Sequence, residues 1–426
     1  MKKLNLKRYF EGFDNIIRSL LIISLSLFFL TFFIFEEMAK WNYTTYVPAA
    51  ALVVLCVIYY VKKKIAPNVK PLIPIYVFVG IAYFVSLIAN PIAALTYKTL
   101  LVLAFFATTI YLSCFIIKDT KAILWAMLLG GLIYCASYFG VYCIDILKLN
   151  LTSGLGKAFG DCNNVGLKLC VVAALLGAVC AYSKRYWAFV FMLPLCVFII
   201  ATSSATAFIQ MLVIIIYIIF VVLRKRIKWA IIVSASLILF IFGAVYFLPS
   251  LETLKQEFIV SIAELFAGRA SDADGYARLF YRDNAFALSF KSLLIGYGPN
   301  GFQGATGMSS RSCNNITELL CGFGIFGVIS FYAIFVTTAK GLFKCRKEPG
   351  TVSGLYIPLL AIVLTSLWFV SFDQTITFVL FAVCAYVNQN TKPEPQSHFV
   401  LKASENIETA QTPFNTEQAT LEKNGD

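Results

Sequence analysis

Long apolar runs are the feature that most constrains this chain. A helix that crosses a bilayer needs about 20 apolar residues, and twelve segments reach or approach that length. Hydrophobic residues make up 60% of the 426 and charged residues only 13%, which is more apolar surface than a soluble domain can bury. The pattern therefore predicts an all-α polytopic membrane protein with about 12 transmembrane helices. The predicted spans are 17–35, 45–61, 72–90, 99–117, 122–143, 164–182, 187–202, 205–223, 229–248, 318–338, 354–372 and 374–388.

The basic residues lie in short clusters between these runs. With the N-terminus in the cytoplasm, 24 of the 35 lysines and arginines fall on the cytoplasmic side, as the positive-inside rule predicts. The even number of spans returns the C-terminus to the same side. The formal charge of +13 is therefore a topology signal, and nucleic acid is not a predicted partner. The first apolar run has no small-residue cleavage site after it, so it is interpreted as a retained helix.

Cysteine and histidine usage predicts no metal site. The chain has twelve cysteines and one histidine, His398, which lies in the tail. The cysteines form no C-x-x-C pair, and most lie inside apolar runs, where cysteine behaves as a small hydrophobe. We expect no zinc site, no disulfide framework and no cofactor.

The predicted connections define the domain organisation. Two outer loops are long enough to hold chemistry, 145–163 and the much longer 249–317. The tail from residue 389 onward has too little apolar surface to fold. The sequence therefore predicts a membrane domain over 1–388, with 249–317 as its large outer loop containing short helices. A disordered cytoplasmic tail over 389–426 follows.

Two apolar stripes with helical spacing lie in the large loop. The first predicts an interfacial amphipathic helix, and its members are Leu251, Leu254, Phe258, Ile262 and Leu265. The second predicts another short helix, and its members are Leu279, Phe286, Phe290 and Leu293. A glycine-rich stretch follows. It ends at Asn315-x-x-Glu318, a capping-box pattern that predicts the start of the next span.

Arg278 and Arg282 are four residues apart and therefore share a face of the second loop helix. Two guanidiniums beside a glycine-rich loop and a helix start can clamp a diphosphate, because arginine presents paired donors to phosphate oxygens. An equally good interpretation is that they solvate an interfacial helix or touch lipid headgroups. Arg269 and Arg311 are further candidates for the same clamp.

Several other charged groups have two interpretations. Asp272, Asp274, Asp283 and Glu318 are outer-side carboxylates that can act as a general base toward a hydroxyl. A solvated surface or a helix cap explains each of them too, and Glu318 has such a role in the capping box. Lys168 lies within the sixth span. It either contacts a lipid phosphate or snorkels to the outer surface.

The order of these motifs resembles the O-antigen polymerase and ligase superfamily. Arg278 is followed by Gly296-Tyr297-Gly298 and then by C-N-N-I-T-E-L-L-C-G-F-G-I-F-G. The family pattern is "G-R…P-L-x-G-x-G…H-N-x-Y-x-x-x-L-x-E-x-G-x-x-G". The residues in register with its last part are Asn314, Leu320, Gly324 and Gly327.

Two earlier stretches strengthen this resemblance. G-K-A-F-G-D-C-N-N-V-G contains Lys157, Asn163 and Gly166 and is similar to the family's "G-x-F-x-N-P-N-x-x-G". T-S-S-A-T-A is similar to the family's "S-R-x-A" hairpin. Together the motifs cover about a quarter of the chain.

The chain also departs from the family pattern. Cys313 stands at the family histidine, Gly322 at the family glutamate, and Ala205 at the hairpin arginine. Glu318 corresponds to the glutamate only from one turn earlier. Ligases of this superfamily are thought to depend on the loop histidine, so its absence favours a polymerase and leaves the catalytic base unassigned.

The resemblance implies a metal-independent glycosyltransferase in the bacterial inner membrane, with 249–317 as a periplasmic loop. The donor would be a glycan on undecaprenyl diphosphate and the acceptor another lipid-linked repeat unit, with a chain-length regulator as a possible partner. The candidate catalytic residues are Arg278, Arg282, Glu318 and Asp283. The candidate substrate-binding residues are Arg269, Arg311, Lys157, Asn163, Lys168, Gly296, Gly298, Asn314 and Asn315. The alternatives are an O-antigen ligase and a lipid-linked oligosaccharide flippase or other transporter.

Overall fold

The described part of the chain is helical throughout. A computed structural model describes residues 2–35, 42–96, 98–148, 162–183, 191–202, 204–223, 226–247, 252, 255–256, 273–308, 312, 314–344, 349–368 and 374–390. Within these ranges there are fifteen α-helices and two short 3₁₀-helices, Asn42–Thr45 and Lys70–Leu72, and no strand. The predicted all-α class is therefore confirmed.

The α-helices are numbered in chain order. They are α1 (Lys2–Phe35), α2 (Tyr46–Lys63), α3 (Ile73–Ala89), α4 (Pro91–Thr96), α5 (Thr99–Ile117), α6 (Thr120–Leu147), α7 (Cys162–Ser183), α8 (Met192–Ala201), α9 (Ala205–Val222), α10 (Ile227–Phe247), α11 (Ala273–Lys291), α12 (Gly301–Thr306), α13 (Asn315–Lys344), α14 (Pro349–Trp368) and α15 (Thr375–Asn390).

Six helical segments are long and apolar enough to cross a membrane. Within the described residues these are Gly12–Ile34, Tyr46–Lys63, Lys70–Ala89, Pro91–Ile117, Thr120–Ile146 and Asn315–Leu342. Shorter apolar helices occupy most of the remaining predicted spans, and every one of the twelve predicted segments overlaps a helix. The chain is therefore a polytopic membrane protein. The count of twelve spans and the orientation of the termini remain predictions.

Helix α7 is the centre of the bundle. It packs against α14, α9 and α6, and apart from Lys168 its residues from 165 to 180 are buried. A helix that is apolar on all sides belongs inside a bundle. A Cβ at Gly177 would meet Ile218 at 2.7 Å and Ile357 at 3.2 Å, so glycine lets three helices approach closely here.

The outer helices expose apolar side chains, as a lipid-facing surface requires. On α2, for example, Val54, Val57 and Val61 are exposed. Side chains close the ends of several helices. The Asp119 carboxylate accepts hydrogen bonds from the Lys121 and Ala122 N–H groups at the start of α6.

Some predictions concern residues beyond this description. The predicted interfacial helix over residues 251–265 lies outside the described residues except for Glu252, Lys255 and Gln256. The same is true of 391–426, so the division of the chain into 1–388 and 389–426 stays a prediction.

Candidate functional site

The predicted arginine-bearing helix exists as α11. Its middle docks on α13, where the Cys321 thiol donates to the Ala285 carbonyl at 3.0 Å and lies 3.5 Å from the Ser289 hydroxyl. Ala285 and Cys321 form a small buried cluster together with Phe302 of α12. The loop helix is therefore fixed to α13 by an apolar contact with sulfur hydrogen bonds at its centre.

Arg278 and Arg282 lie on the N-terminal half of α11. Each precedes a docked residue by seven positions, Arg278 preceding Ala285 and Arg282 preceding Ser289. Seven residues are two helical turns. On a regular helix the two arginine positions are therefore in phase with Ala285 and Ser289, two turns closer to the start of α11.

The predicted apolar stripe of α11 does not form the docked face. Phe286 and Phe290 are 52% and 62% exposed, and Leu293 is exposed as well. The two phenylalanine rings pack edge to face, with centroids 4.8 Å apart. The stripe was recognised correctly as apolar, but the small residues Ala285 and Ser289 make the close contact with the bundle.

Helix α13 is broken at Gly324, whose φ of 65° and ψ of −165° lie outside the helical region. This conformation is essentially restricted to glycine. A Cβ at Gly324 would strike the Leu294 carbonyl, and one at Gly327 would strike Phe323. The two glycines in register with the family pattern thus permit one sharp turn. We call 315–323 the short arm and 325–344 the long arm of α13.

The glycine-rich loop inserts into the hydrogen-bond ladder of α13 at the break. In an unbroken helix, the Ile325 N–H would donate to the Cys321 carbonyl. Here Ile325 N–H donates to the Leu293 carbonyl at 2.8 Å, and Cys321 O accepts from Tyr297 N–H at 2.7 Å. The loop therefore satisfies both groups that the break releases.

Gly298 and Gly296 complete this junction. Gly298 N–H donates to the Gly322 carbonyl at 2.8 Å, while a Cβ at Gly296 would lie 2.6 Å from that same oxygen. Both glycines have positive φ, 71° and 86° for Gly296 and Gly298 respectively. These two predicted site residues are thus backbone packing positions that bring the loop onto α13.

The short arm folds back along the long arm. The Asn315 side-chain amide donates to the Tyr332 hydroxyl at 3.4 Å. In a straight helix these residues would be about 25 Å apart along the axis, so the two arms must meet at an acute angle. The predicted single span over 318–338 is therefore a helical hairpin.

The start of α13 is a buried polar cluster. The Asn314 side-chain oxygen accepts from the Ile316 and Thr317 N–H groups at 2.8 and 3.3 Å, so Asn314, one residue before the predicted position, is the N-cap. The Glu318 carboxylate accepts from Ser312 N–H at 2.9 Å and is only 3% exposed. Glu318 does close the turn that precedes the helix, although its partner is Ser312.

The two earlier motifs, the stretch around Gly166 at the start of α7 and the T-S-S-A-T-A stretch at the start of α9, contact each other. A Cβ at Gly166 of α7 would lie 2.6 Å from the Ala207 Cβ and 3.0 Å from the Thr202 hydroxyl. Cys170, one turn further along α7, donates to the Ala207 carbonyl at 3.2 Å. The first part of α7, which follows Asn163, therefore packs on Thr202, Ser204 and Ala207 at the start of α9. Helix α14 contacts both α7 and α13 and links this pair of motifs to the α11–α13 junction.

Lys168 has a described protein contact. Its ammonium group donates to the Phe33 carbonyl at 3.3 Å and lies 5.7 Å from the Phe32 ring centroid. Phe33 is in the last described turn of α1, and a cation near the C-terminal carbonyls of a helix is favourable. Lys168 thus contacts the backbone of α1, which neither sequence interpretation had included.

The remaining candidates are placed only in part. Lys157, Arg269 and Arg311 lie outside the described residues. Asp283 is exposed on α11. The described candidates form three groups. They are Gly296, Gly298, Asn314, Asn315 and Glu318 around α13, Arg278, Arg282 and Asp283 on α11, and Asn163 with Lys168 on α7.

Tyr332 and Ser366 were missed by the sequence analysis. The Tyr332 hydroxyl accepts a hydrogen bond from the Asn315 side-chain amide and donates one to the Ser366 hydroxyl at 3.5 Å. A tyrosine and a serine inside apolar runs carry no motif. Only the break at Gly324 brings them to the site.

The fold and this junction define a polytopic membrane protein with a glycine-dependent loop–helix site. Residues 187–332 match the O-antigen ligase family. The match covers 146 of the 426 residues and contains α11, α12, the short arm and Tyr332. It confirms the resemblance to the O-antigen polymerase and ligase superfamily and indicates a function of that type in a multi-pass bacterial membrane protein. No curated protein matched the chain.

Proposed function

We propose that this protein is an O-antigen polymerase. It would transfer a growing glycan from undecaprenyl diphosphate to another lipid-linked repeat unit at the periplasmic face of the inner membrane. The observation that carries the proposal is the family match over 187–332, because this range includes the arginine helix, the glycine-rich loop and its docking site on α13. The polar cluster and the paired arginine positions occur within the one segment that the family shares.

The proposed chemistry is a displacement at the anomeric carbon. The bond from this carbon to the diphosphate oxygen breaks, a glycosidic bond to the acceptor hydroxyl forms, and a carboxylate takes the hydroxyl proton. Arg278 and Arg282 would stabilise the diphosphate as its negative charge increases. Their spacing of one helical turn supports this role, because it lets two guanidiniums act on the same diphosphate.

Two carboxylates are candidates for the base. Asp283 is exposed and adjacent to Arg282, so an acceptor can reach it. Glu318 is buried and accepts from Ser312 N–H, which favours a role in holding the loop. We therefore expect Asp283→Asn to reduce transfer without changing stability. Glu318→Gln should reduce stability and transfer together.

The ligase alternative is less well supported by the residues. The position of the family histidine is Cys313, and the only histidine is His398 in the tail. A polymerase needs no histidine in this loop if a carboxylate serves as base. The presence of Cys313 in place of the family histidine therefore favours polymerisation over transfer to the lipid A–core.

The decisive test is the phenotype of a deletion strain. Loss of a polymerase should leave single repeat units on the lipopolysaccharide core, because ligation continues. Absence of all repeat units from the core would instead indicate a ligase or a flippase. Analysis of the lipopolysaccharide by gel electrophoresis distinguishes these outcomes.

The arginine proposal has a matched control on the same helix. Arg278→Ala should lower polymer formation by about 100-fold or more, since it removes a charge-assisted contact to the leaving group. Lys291→Ala, an exposed cation at the end of α11, should leave polymer unchanged. Normal chain-length ladders in Arg278→Ala, at wild-type protein level, would remove Arg278 from the mechanism.

A further inference from the structure

The short and long arms of α13 form a hairpin, and its turn and its open end are stabilised in different ways. At the turn, the loop supplies backbone hydrogen bonds to residues 321, 322 and 325. At the open end, side chains make the connection: Asn315 donates to Tyr332, Tyr332 to Ser366, and Ser366 to the Val363 carbonyl at 2.7 Å. This side-chain relay joins the short arm, the long arm and α14.

The relay also shows at which level along the long arm the short arm begins. Tyr332 lies eight residues beyond the break, or about 12 Å along the long arm. Asn315 is at the same level, and it is fully buried, as are Ser312 and Ser366. If the long arm crosses the bilayer, the start of the short arm therefore lies below the turn, inside the protein.

Burial of polar groups at this level requires protein partners. Non-helical backbone and charged side chains are costly in hydrocarbon and are tolerated where protein surrounds them. The Ser312 N–H has the Glu318 carboxylate as its partner, and the Thr317 hydroxyl donates to the Ser312 hydroxyl at 3.0 Å. The cluster thus has internal partners for its polar groups, as a re-entrant segment inside a bundle needs.

We infer that the 315–323 arm is a re-entrant element and that Tyr332 and Ser366 are positioning residues of the transferase. They act through the short arm. The relay fixes Asn315, the short arm carries Cys321, and Cys321 holds Ala285 and Ser289 of the arginine helix. The functional part of this inference depends on the proposed function, whereas the re-entrant geometry does not.

Crosslinking tests the geometry directly. Asn315→Cys and Ser366→Cys are combined with Cys313→Ser, and a protease site is inserted between α13 and α14 at 345–348. After treatment of membranes with a short bifunctional thiol reagent and protease, the two fragments should stay joined. A straight α13 would hold residue 315 about 25 Å from Tyr332, and the fragments would separate, which would overturn the re-entrant arm.

The control pair replaces Asn315→Cys with Ile329→Cys. Ile329 is on the long arm, one turn from Tyr332, but its side chain is 61% exposed, whereas Asn315 and Ser366 are fully buried. This pair should not crosslink. Equal crosslinking in both pairs would show nonspecific reaction and contradict the specific Asn315–Ser366 proximity.

Activity variants test the positioning role. Tyr332→Phe and Ser366→Ala each remove a hydroxyl that makes two neutral hydrogen bonds in the relay, so we expect a loss of roughly 2-fold to 10-fold in kcat. The KM for the lipid-linked donor and the protein level should stay unchanged. Ser366→Thr keeps the hydroxyl and should restore most of the rate.

The outcomes separate the two proposals. Full activity of Tyr332→Phe and Ser366→Ala would overturn the positioning role even if the crosslink forms. A uniform loss of protein, with no rescue by Ser366→Thr, would also overturn it by showing a purely structural effect. The Arg278→Ala variant tests the proposed transferase function. If this variant kept full activity, that function would be in conflict with the result, but the crosslinking result would still stand.

Discussion

Helices α7 and α13 both begin at a motif that resembles the same superfamily, yet they are built differently. Helix α7 is continuous, and its glycines accommodate side chains, as Gly177 does for Ile218 and Ile357. Helix α13 is broken, and Gly324 accommodates the backbone of another segment. The comparison shows that α7 organises the bundle by side-chain packing, whereas α13 holds a loop through its own main chain.

The largest effect should come from Gly324→Ala. A side chain at this φ and ψ is strained, and its Cβ would strike the Leu294 carbonyl. We expect a loss of about 3 kcal/mol or more in the free energy of unfolding, together with loss of polymer. Thermal unfolding in detergent and lipopolysaccharide gels measure the two effects.

Gly304→Ala is the control for that variant. Gly304 lies in α12, and a Cβ there has no other atom within 4 Å. Its stability and polymer should equal those of the wild type. If Gly324→Ala were equally mild, the distinction between the broken and the continuous helix would fail.

Gly177→Ala should have a smaller effect on α7. The new Cβ would press on Ile218 at 2.7 Å, but the contact is the end of a flexible side chain. We expect a destabilisation of about 1 kcal/mol, measured by thermal unfolding. Gly140→Ala in α6, where a Cβ has open space, should instead be neutral or slightly stabilising. If Gly177→Ala lowered the free energy of unfolding more than Gly324→Ala does, the expected order of the two effects would be wrong.

Lys168→Met should have the smallest effect. It removes the cation beside the end of α1, which contributes about 0.5 to 1 kcal/mol, so Tm should fall slightly while polymer stays unchanged. Lys168→Arg should retain the contact. A strong loss of polymer at unchanged Tm would show that Lys168 binds a lipid phosphate, and α7 would then belong to the reaction site.

Sequence reasoning was most successful where the signal is local. Apolar runs located the long apolar helices, and the apolar stripe that includes Phe286 and Phe290 located α11. The motif glycines at 296, 298, 324 and 327 were found as a pattern. The purpose of the glycines at 296, 298 and 324 was not visible, because it is a backbone contact between segments about thirty residues apart in the chain.

The errors have the same origin. The sequence analysis predicted 318–338 as one continuous span, since the residues around Gly324 are apolar on both sides of the break. The stripe with Phe286 indicated a helix but not its packing face, and the smaller Ala285 and Ser289 allow closer approach to α13. Tyr332 and Ser366 were invisible because their proximity to Asn315 depends entirely on the turn.

The exchange of hydrogen bonds at Gly324 limits how this loop can move. If residues 293–298 lifted away, the carbonyls of Cys321 and Gly322 and the N–H of Ile325 would lose their partners in apolar surroundings, each at a cost of several kcal/mol. The loop therefore cannot serve as a gate that opens in each catalytic cycle. If the protein acts on a lipid-linked glycan as proposed, this substrate would have to reach the site between helices, while residues 293–298 stay bound to α13.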